Sequence, residues 1–475
     1  MPGFTPARRW QQAYYPFKNR TTGQKIEEAI ERAVKGALFG CRMCGNCLLQ
    51  ETALICPMEC PKGLRNGPCG GSTPEHCYVD ETRPCVWYKI YERAEKYGRL
   101  DVLMEVLPPL DWDKVGTSPW PDGWKNLKKH GGLAAVWRGV SAPTAERKEK
   151  WDRFFKEIRQ PDWWQGDDQP HPAPLHAPVS RLEQVLMEGK FAITAEAAPP
   201  LSANADDLIK KLDLLKDWVD AVNFTDNPSS TPRMSSLACS LVALQQGVEP
   251  VLQIAARDRT RMGLQGEVLG ASALGIRNIL CLTGDHPRLG PAPNGRMDIW
   301  DLDAIQMLWL LRRMRDEGQF LDCREIKCAP QVFLGAAGSP YASKPFIQAM
   351  REEKKANAGA QFMQTNLVFD FEGFERYLEA LEARGVPSRL PILAGISPVR
   401  SVKAALAMRQ VPGVRIPDSV INRLEAVADA KEESVQMTLE LIDKVKRLPG
   451  LRGIHFMAVG WESIVPRLIQ ESGLR

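Results

Sequence analysis

The sequence predicts an α/β fold: a (β/α)8 barrel in its C-terminal part, preceded by a cysteine-rich metal-binding domain. Three observations predict it. From residue 190 onward, eight short apolar runs alternate with helical patterns. Neither a G-x-G-x-x-G fingerprint nor a Walker loop follows the first of these runs, so the usual mark of an open doubly wound sheet is missing. Eight of the twelve cysteines fall between Cys41 and Cys85.

Taken in order, residues 24–38 read as a short amphipathic helix, with Ile26, Ile30, Ala33, Val34 and Ala37 on one stripe. The pattern suggests a helix that caps the domain after it. Residues 39–105 hold the clustered cysteines among many Gly and Pro. They carry too few large apolar side chains to fold unaided, so a metal centre would have to supply part of the stability. This gives a first domain over residues 1–105. Residues 106–189 are rich in Pro and Trp and show neither period, as expected of a linker or a strap.

The barrel is predicted over residues 190–475. Its strands are FAITAEA, AVNFTD, PVLQIAA, NILCLTG, QVFLGAA, AQFMQTNLVF, LPILAGIS and GIHFMAVG. Continuously apolar strands separated by helices imply a parallel sheet covered on both faces, and eight such units match a closed TIM-type barrel. In 205–217, Leu208, Leu212, Leu215 and then Val219 recur at helical spacing, after cap candidates Ser202 and Asn204. A second helix is expected over 301–317, opened by Asp301 and closed by Gly318. A third, over 371–384, ends before Gly385.

Composition narrows the function. A chain of 475 residues exceeds one core, and 44% hydrophobic with 25% charged residues is ordinary for a globular protein. A net charge of +4 and the absence of a basic–aromatic run argue against nucleic acid. No apolar run reaches membrane-span length, and residues 1–20 lack the apolar stretch of a secretion signal. The expected compartment is the cytoplasm, where clustered thiols favour metal over disulfides.

In such a barrel the active site lies at the C-terminal strand ends. There the sequence places Glu196, Thr225, Gln253, Thr283, Gly284, Asp285, Ser339, Gln364 and Asn366, with Arg257, Asp258, His286 and Ser397 beside them. Glu196 is hemmed in by ITA and AAPP, an apolar setting that raises a carboxyl's pKa and suits it to act as an acid near neutrality. The alternative is an ion pair with Arg257 or Lys355. Asp285 follows a glycine, where backbone approaches a ligand easily. His286 is either a base or a plain loop residue.

The cysteines run Cys41-x2-Cys44-x2-Cys47-x8-Cys56-x3-Cys60-x8-Cys69-x7-Cys77-x7-Cys85. Eight thiols suit two four-ligand sites. The opening C-x2-C-x2-C, with Pro after Cys56 and Cys60, is similar to a ferredoxin-type [4Fe–4S] motif. Paired C-x2-C knuckles equally suit Zn2+.

At TAEAAPP (194–200), NFTDNP (223–228), LQIAARDR (252–259), LTGDHP (282–287), KKANAGAQFMQTNLVFD (354–370) and ILAGISPV (392–399) the chain resembles the methylenetetrahydrofolate reductase family. CRMCGNC, ECPKGLRNGPCGGS and CVWYKIYERAEKYGRL resemble the cysteine-rich small subunit found beside such reductases in acetogenic bacteria, here fused in front. The resemblance implies a flavoenzyme that interconverts 5,10-methylene- and 5-methyltetrahydrofolate. FAD would be the flavin, with FMN the alternative, and NAD(P)H or a ferredoxin the donor.

By the same resemblance, Glu196 is the general acid for opening the imidazolidine ring, and Asp285 the aspartate near pterin and flavin. Thr225, Gln253, Gly284 and Lys355 fall on flavin-contacting positions. Thr283 stands where an Arg is common, and Gln253 where a His is. Gly335 and Ser339 replace an aromatic and a His that grip the flavin and its nucleotide part. Gln364 and Asn366 fall at the substrate, Asn366 in place of a folate-binding Gln. The implied partners are tetrahydrofolate, an electron-transfer protein and further copies of the chain in a homo-oligomer. Two other functions fit the pattern: a folate-dependent methyltransferase barrel, and a non-catalytic electron-transfer scaffold.

Overall fold

The computed structural model describes residues 21–129, 132, 156, 160–291, 300–341 and 344–475. The N-terminal stretch 1–20 and much of the expected linker lie outside the described residues. Among the described residues no helix is long and apolar enough to cross a membrane.

The chain forms two compact units, divided otherwise than at residues 105 and 189. One comprises residues up to Gly67 together with Val86–Asp167. The other comprises Pro68–Cys85 together with Asp168–Arg475.

The first unit contains α1 (Thr22–Phe39), α2 (Val86–Lys96) and α3 (Trp120–Lys129). Its small core gathers Cys44, Leu49, Cys56, Met58, Leu110 and Val115. Residues 106–110 do not hang free as a linker. Leu107 N–H donates to Asn66 Oδ1 (2.8 Å), and the Arg65 Nε–H donates to Pro108 O (2.8 Å). Trp164, fully buried, donates its indole N–H to Val106 O.

Helix α1 reverses the expected orientation. Ile26, Ile30, Ala33, Val34 and Ala37 are exposed, whereas Glu28 and Glu31 are buried. The inward face is the polar one because Glu31 pairs with Lys35 (2.5 Å) and both line a cavity with cysteine thiols.

The second unit is a closed barrel of eight parallel strands in sequential order. They are β1 (Ala192–Glu196), β2 (Ala221–Phe224), β3 (Pro250–Ala255), β4 (Asn278–Leu282), β5 (Phe333–Gly338), β6 (Phe362–Leu367), β7 (Ile392–Ile396) and β8 (Leu451–Phe456). Each coincides with one of the apolar runs. The barrel closes where Ala192 pairs with Gly453 and Thr194 with His455.

Its N-terminal end is sealed by α4 (Arg181–Met187), whose Leu182 and Leu186 pack on Ala192, Ala221, Val251, Leu280, Phe333, Phe362 and Leu393. Burying such aliphatic and aromatic side chains contributes about 1.5–3 kcal/mol each. Above this apolar layer the barrel interior turns polar. Gln364 donates to Thr194 Oγ1 (3.0 Å) and exchanges hydrogen bonds with Asn223 (2.6 and 3.1 Å). Thr194 Oγ1 also meets His455 Nδ1 at 3.0 Å.

Helices α5 (Asp206–Leu215), α6 (Ser236–Gln245), α7 (Arg261–Ala273), α8 (Ala304–Asp316), α9 (Pro345–Asn357) and α10 (Phe371–Glu382) follow the first six strands. Three helices, α11 (Val402–Arg409), α12 (Asp418–Glu425) and α13 (Ala430–Val445), follow β7, and α14 (Val465–Glu471) follows β8. Side-chain caps fix several starts: Ser235, Thr260, Asp370 and Ser401 each accept a backbone N–H from the first turn.

Two starts differ from the sequence expectation. Asp303, not Asp301, caps α8, in a capping box with Gln306. Asp301 is instead drawn to Arg261, 2.5 Å away. The N-cap of α5 is Ala205, with no side-chain bond of its own, while Asn204 Oδ1 accepts from Asp206 N–H (2.8 Å). Gly318 and Gly385 follow α8 and α10 with φ of +61° and +64°, as expected for helix ends.

Candidate active site

Glu196 ends β1, and its carboxyl sits deep among protein atoms although the residue keeps some exposure at the barrel mouth. Burial pushes its pKa up from 4.5 to about 7. A hydrogen bond from Gln253 opposes the rise, and the negative charge of Glu462 adds to it. Neither cation named as an alternative partner reaches it. Arg257 is bound to Asp258 (2.5 Å), and Lys355 to Glu352 (2.5 Å) and the Ala337 carbonyl (2.6 Å). Lys355 thus spends its ammonium behind β5, and burial lowers its pKa.

Asp285 lies just beyond β4. Its Oδ2 accepts the Ser229 N–H (2.8 Å), and its carbonyl accepts from Ser230 Oγ (3.1 Å) and Arg257 (3.3 Å). Arg257 also donates to Ser230 Oγ (3.1 Å) and Asn227 O (3.3 Å), so one guanidinium ties together the loops after β2, β3 and β4. The loop after β2 is strained: Asn227, Ser229 and Ser230 all have positive φ (45°, 52° and 53°). Strain of this kind costs about 1–3 kcal/mol per residue and gathers at functional sites. Here it turns the Ser229 N–H onto the Asp285 carboxylate.

Gly284 has φ +86°, and a Cβ there would lie 2.9 Å from Arg257 Cβ. The close approach that demands glycine is therefore to Arg257, within the protein. Thr283 accepts the Trp300 indole N–H at its carbonyl (2.8 Å). His286 stacks on Trp300 (5.4 Å between centroids), and its Nδ1 accepts the Arg288 N–H. Both contacts suit the reading of His286 as a loop residue.

The other candidates divide. Thr225 Oγ1 is buried with no hydrogen-bond partner among the described residues, a donor and acceptor left for something else. Gln364 does not line the mouth: it is buried in the polar layer beneath. Gly335 makes room for the Phe362 ring, whose Cζ would lie 2.3 Å from a Cβ. Ser339 is covered by Gly70, whose added Cβ would fall 2.3 Å from its Oγ. Asn366 stays partly exposed, donating to Pro412 O (3.3 Å) and accepting from Leu367 N–H (2.8 Å).

One residue escaped the sequence reading. Tyr78, from the cysteine-rich stretch, donates its phenol to Asp285 Oδ1 at 3.2 Å. No local pattern marks it, because the contact spans 207 positions of chain.

The cysteines do not form two equivalent sets. Cys41, Cys44, Cys47 and Cys56 line one cavity of the first unit. Cys60 belongs to that unit without lining the cavity, and Cys69, Cys77 and Cys85 belong to the barrel unit. Among the described residues no three His, Cys, Asp or Glu side chains converge as they stand to hold a metal ion, so the expectation of two ready four-ligand sites is not met.

A carboxyl with a raised pKa, a second carboxylate braced by loops and a hydroxyl without a partner among the described residues all lie at the C-terminal strand ends of a (β/α)8 barrel, the face on which such barrels carry their chemistry. The chain belongs to the methylenetetrahydrofolate reductase family, whose model "Methylenetetrahydrofolate reductase" matches residues 181–473. A second model, "Methylene-tetrahydrofolate reductase C terminal", matches residues 20–113, ahead of the barrel.

Similar proteins include a "Probable methylenetetrahydrofolate reductase (NADPH)" of Caenorhabditis elegans, 24% identical over 62% of this chain and 44% of its own. Another is a "5,10-methylenetetrahydrofolate reductase" of Pectobacterium carotovorum, 24% identical over 62% of this chain and 95% of its own. The chain thus spans less than half of the nematode relative. A solved structure, an uncharacterized Clostridium thermocellum protein that binds two copies of 5-methyl-5,6,7,8-tetrahydrofolic acid, is 15% identical. The match covers 62% of this chain and all of that one, at a TM-score of 0.47.

Proposed function

We propose that the barrel interconverts 5,10-methylenetetrahydrofolate and 5-methyltetrahydrofolate as a flavin-dependent oxidoreductase drawing on NAD(P)H. The observation that carries the reading is Glu196: a carboxyl at a strand end, held protonated by burial up to about pH 7. Opening the imidazolidine ring of methylenetetrahydrofolate leaves electron density on N10, and a neutral carboxyl in a water-poor mouth supplies the proton there. Gln253, hydrogen-bonded to Glu196, orients that carboxyl. The braced Asp285 accepts from N–H groups of the pterin.

The mouth fits a flavin at Thr225, Gln253, Thr283 and Asp285, with the orphaned Thr225 hydroxyl the clearest support. When bound, the flavin supplies the hydride. Gly284, Gly335, Ser339 and Lys355 are taken up by protein contacts, so FAD and FMN stay alternatives on this reading. In the first unit, Cys41, Cys44, Cys47 and Cys56 would hold a [4Fe–4S] cluster or Zn2+ once their side chains close on it. A cytoplasmic setting, an electron-transfer partner and a homo-oligomer belong to the same reading.

The test is Glu196→Gln, which keeps the shape and removes the acid. Folate turnover should be abolished while NAD(P)H still reduces the flavin. Full folate activity in the variant would refute the assignment, and a purified protein without yellow colour would favour a methyltransferase-type barrel.

A further inference from the structure

We infer that Tyr78 is a positioning residue for folate binding: it fixes the Asp285 carboxylate from the segment Pro68–Cys85, which lies on the barrel mouth. The inference rests on the folate reading above and extends it to a residue outside the barrel sequence.

The contact joins parts of one compact unit. Tyr78 Oη donates to Asp285 Oδ1 at 3.2 Å, while the Ser229 N–H donates to Oδ2 at 2.8 Å. A carboxylate offers about four lone-pair sites. With one taken on each oxygen, each oxygen keeps a further site. A carboxylate with a site left on each oxygen can accept two parallel N–H donors, as on the amidine edge of a pterin, and paired charge-assisted bonds are the strong, orienting kind. Without Tyr78 only the Ser229 bond restrains the carboxylate, which is then free to rotate away from that arrangement.

The segment is built to hold the phenol still. Cys77 and Asp80 form an antiparallel bridge, and Cys77 N–H donates to Arg83 O (2.8 Å). The Tyr78 N–H donates to Ser72 Oγ (3.0 Å), which also meets Cys69 Sγ (3.2 Å). At the barrel, Gly70 packs on Ser339, Gly71 on Pro412, and Gly413 against the Gly70 carbonyl. The segment is thereby anchored at the ends of β5 and at the loop beyond β7 as well as at Asp285. Burial and the Asp285 charge both push the phenol's pKa up, so it stays a donor throughout the working range of pH.

The alternative role is mere packing, and coupling separates the two. Equilibrium binding of 5-methyltetrahydrofolate would be measured on the full chain and on Tyr78→Phe, Asp285→Asn and the double variant, with melting curves for each. Tyr78→Phe should weaken binding about tenfold, the scale of one hydrogen bond to a charged group. The double variant should bind within twofold of Asp285→Asn alone, because Tyr78 acts through that carboxylate. Unchanged binding in Tyr78→Phe overturns the inference, whether or not its melting temperature falls. So do losses that multiply in the double variant. If the unaltered chain fails to bind the folate, the folate reading itself falls, a result distinct from an unaffected Tyr78→Phe.

Discussion

Replacing Glu196 by Gln should cost the protein its folate chemistry and make it more stable in base. Burial raises the Glu196 carboxyl from 4.5 to about 7. Between those values the folded chain keeps a proton that the unfolded chain has released, so the unfolded state binds fewer protons and stability falls as pH rises. The full difference between pH 4 and pH 8 amounts to about 3 kcal/mol at 1.36 kcal/mol per pH unit. This is an upper figure, because part of Glu196 still meets solvent. Glutamine does not titrate, and it retains an amide to pair with Gln253. The assay is the melting temperature of parent and variant, side by side from pH 4 to 8.5. Every other titrating group is common to both and cancels in the difference. The parent should lose ground to the variant as pH rises from about 4.5 to about 7, most steeply midway, and then hold level, while parent turnover should fall above about 7 as the acid is deprotonated. A difference flat across the range would refute the claim that burial holds this carboxyl protonated.

Gly335→Ala forces a methyl to within 2.3 Å of the Phe362 ring inside the barrel, and overpacking should cost about 1–3 kcal/mol in a denaturant titration. Gln364→Leu strips partners from Asn223 and Thr194 in the polar layer. Leaving such groups unmet costs about 1–3 kcal/mol each, read by the same titration, and the loss should appear as stability before any change in folate affinity. Cys44→Ala and Cys47→Ala should each release metal from the first unit, read as iron or zinc per chain together with the visible spectrum. Unaltered metal content in both would remove those thiols from the ligand set.

The strands were legible because parallel strands buried on both faces must be apolar throughout, and the runs stop where polar chemistry begins. Depth was not. Gln364 alternates inward like Asn366, and only the register with Leu393 shows that it lies a layer lower, in contact with Thr194. The α1 stripe was legible as a stripe, since the 3.6-residue period survives in any environment. Which side faces inward depends on partners far away in sequence, and Lys35, reaching Cys47 Sγ, marks the polar side as the inner one. Asp301 and Asp303 are equal as caps by type; the nearby Arg261 decided between them. Glu196 and Asp285 were readable because strand ends are local features. Tyr78 was not, since nothing near it in sequence announces a contact with Asp285.

The raised Glu196 pKa is a property of how the whole mouth apportions charge. Two cations, Arg257 and Lys355, were the candidate partners for this carboxylate. Arg257 is claimed by Asp258 and Lys355 by Glu352, so each positive group has an acid of its own. The layer below contributes no charge either, because burial lowers the His455 pKa to about 3 and leaves a neutral ring among Thr194, Asn223 and Gln364. The charge that does act on Glu196 is the negative one of Glu462, itself bound to Lys211 at 2.9 Å. Desolvation is therefore opposed only by Gln253, a neutral donor that orients the carboxyl without supplying the cation that would hold it ionised. An acid is made at this position by burial, with Arg257 and Lys355 each held by another acid.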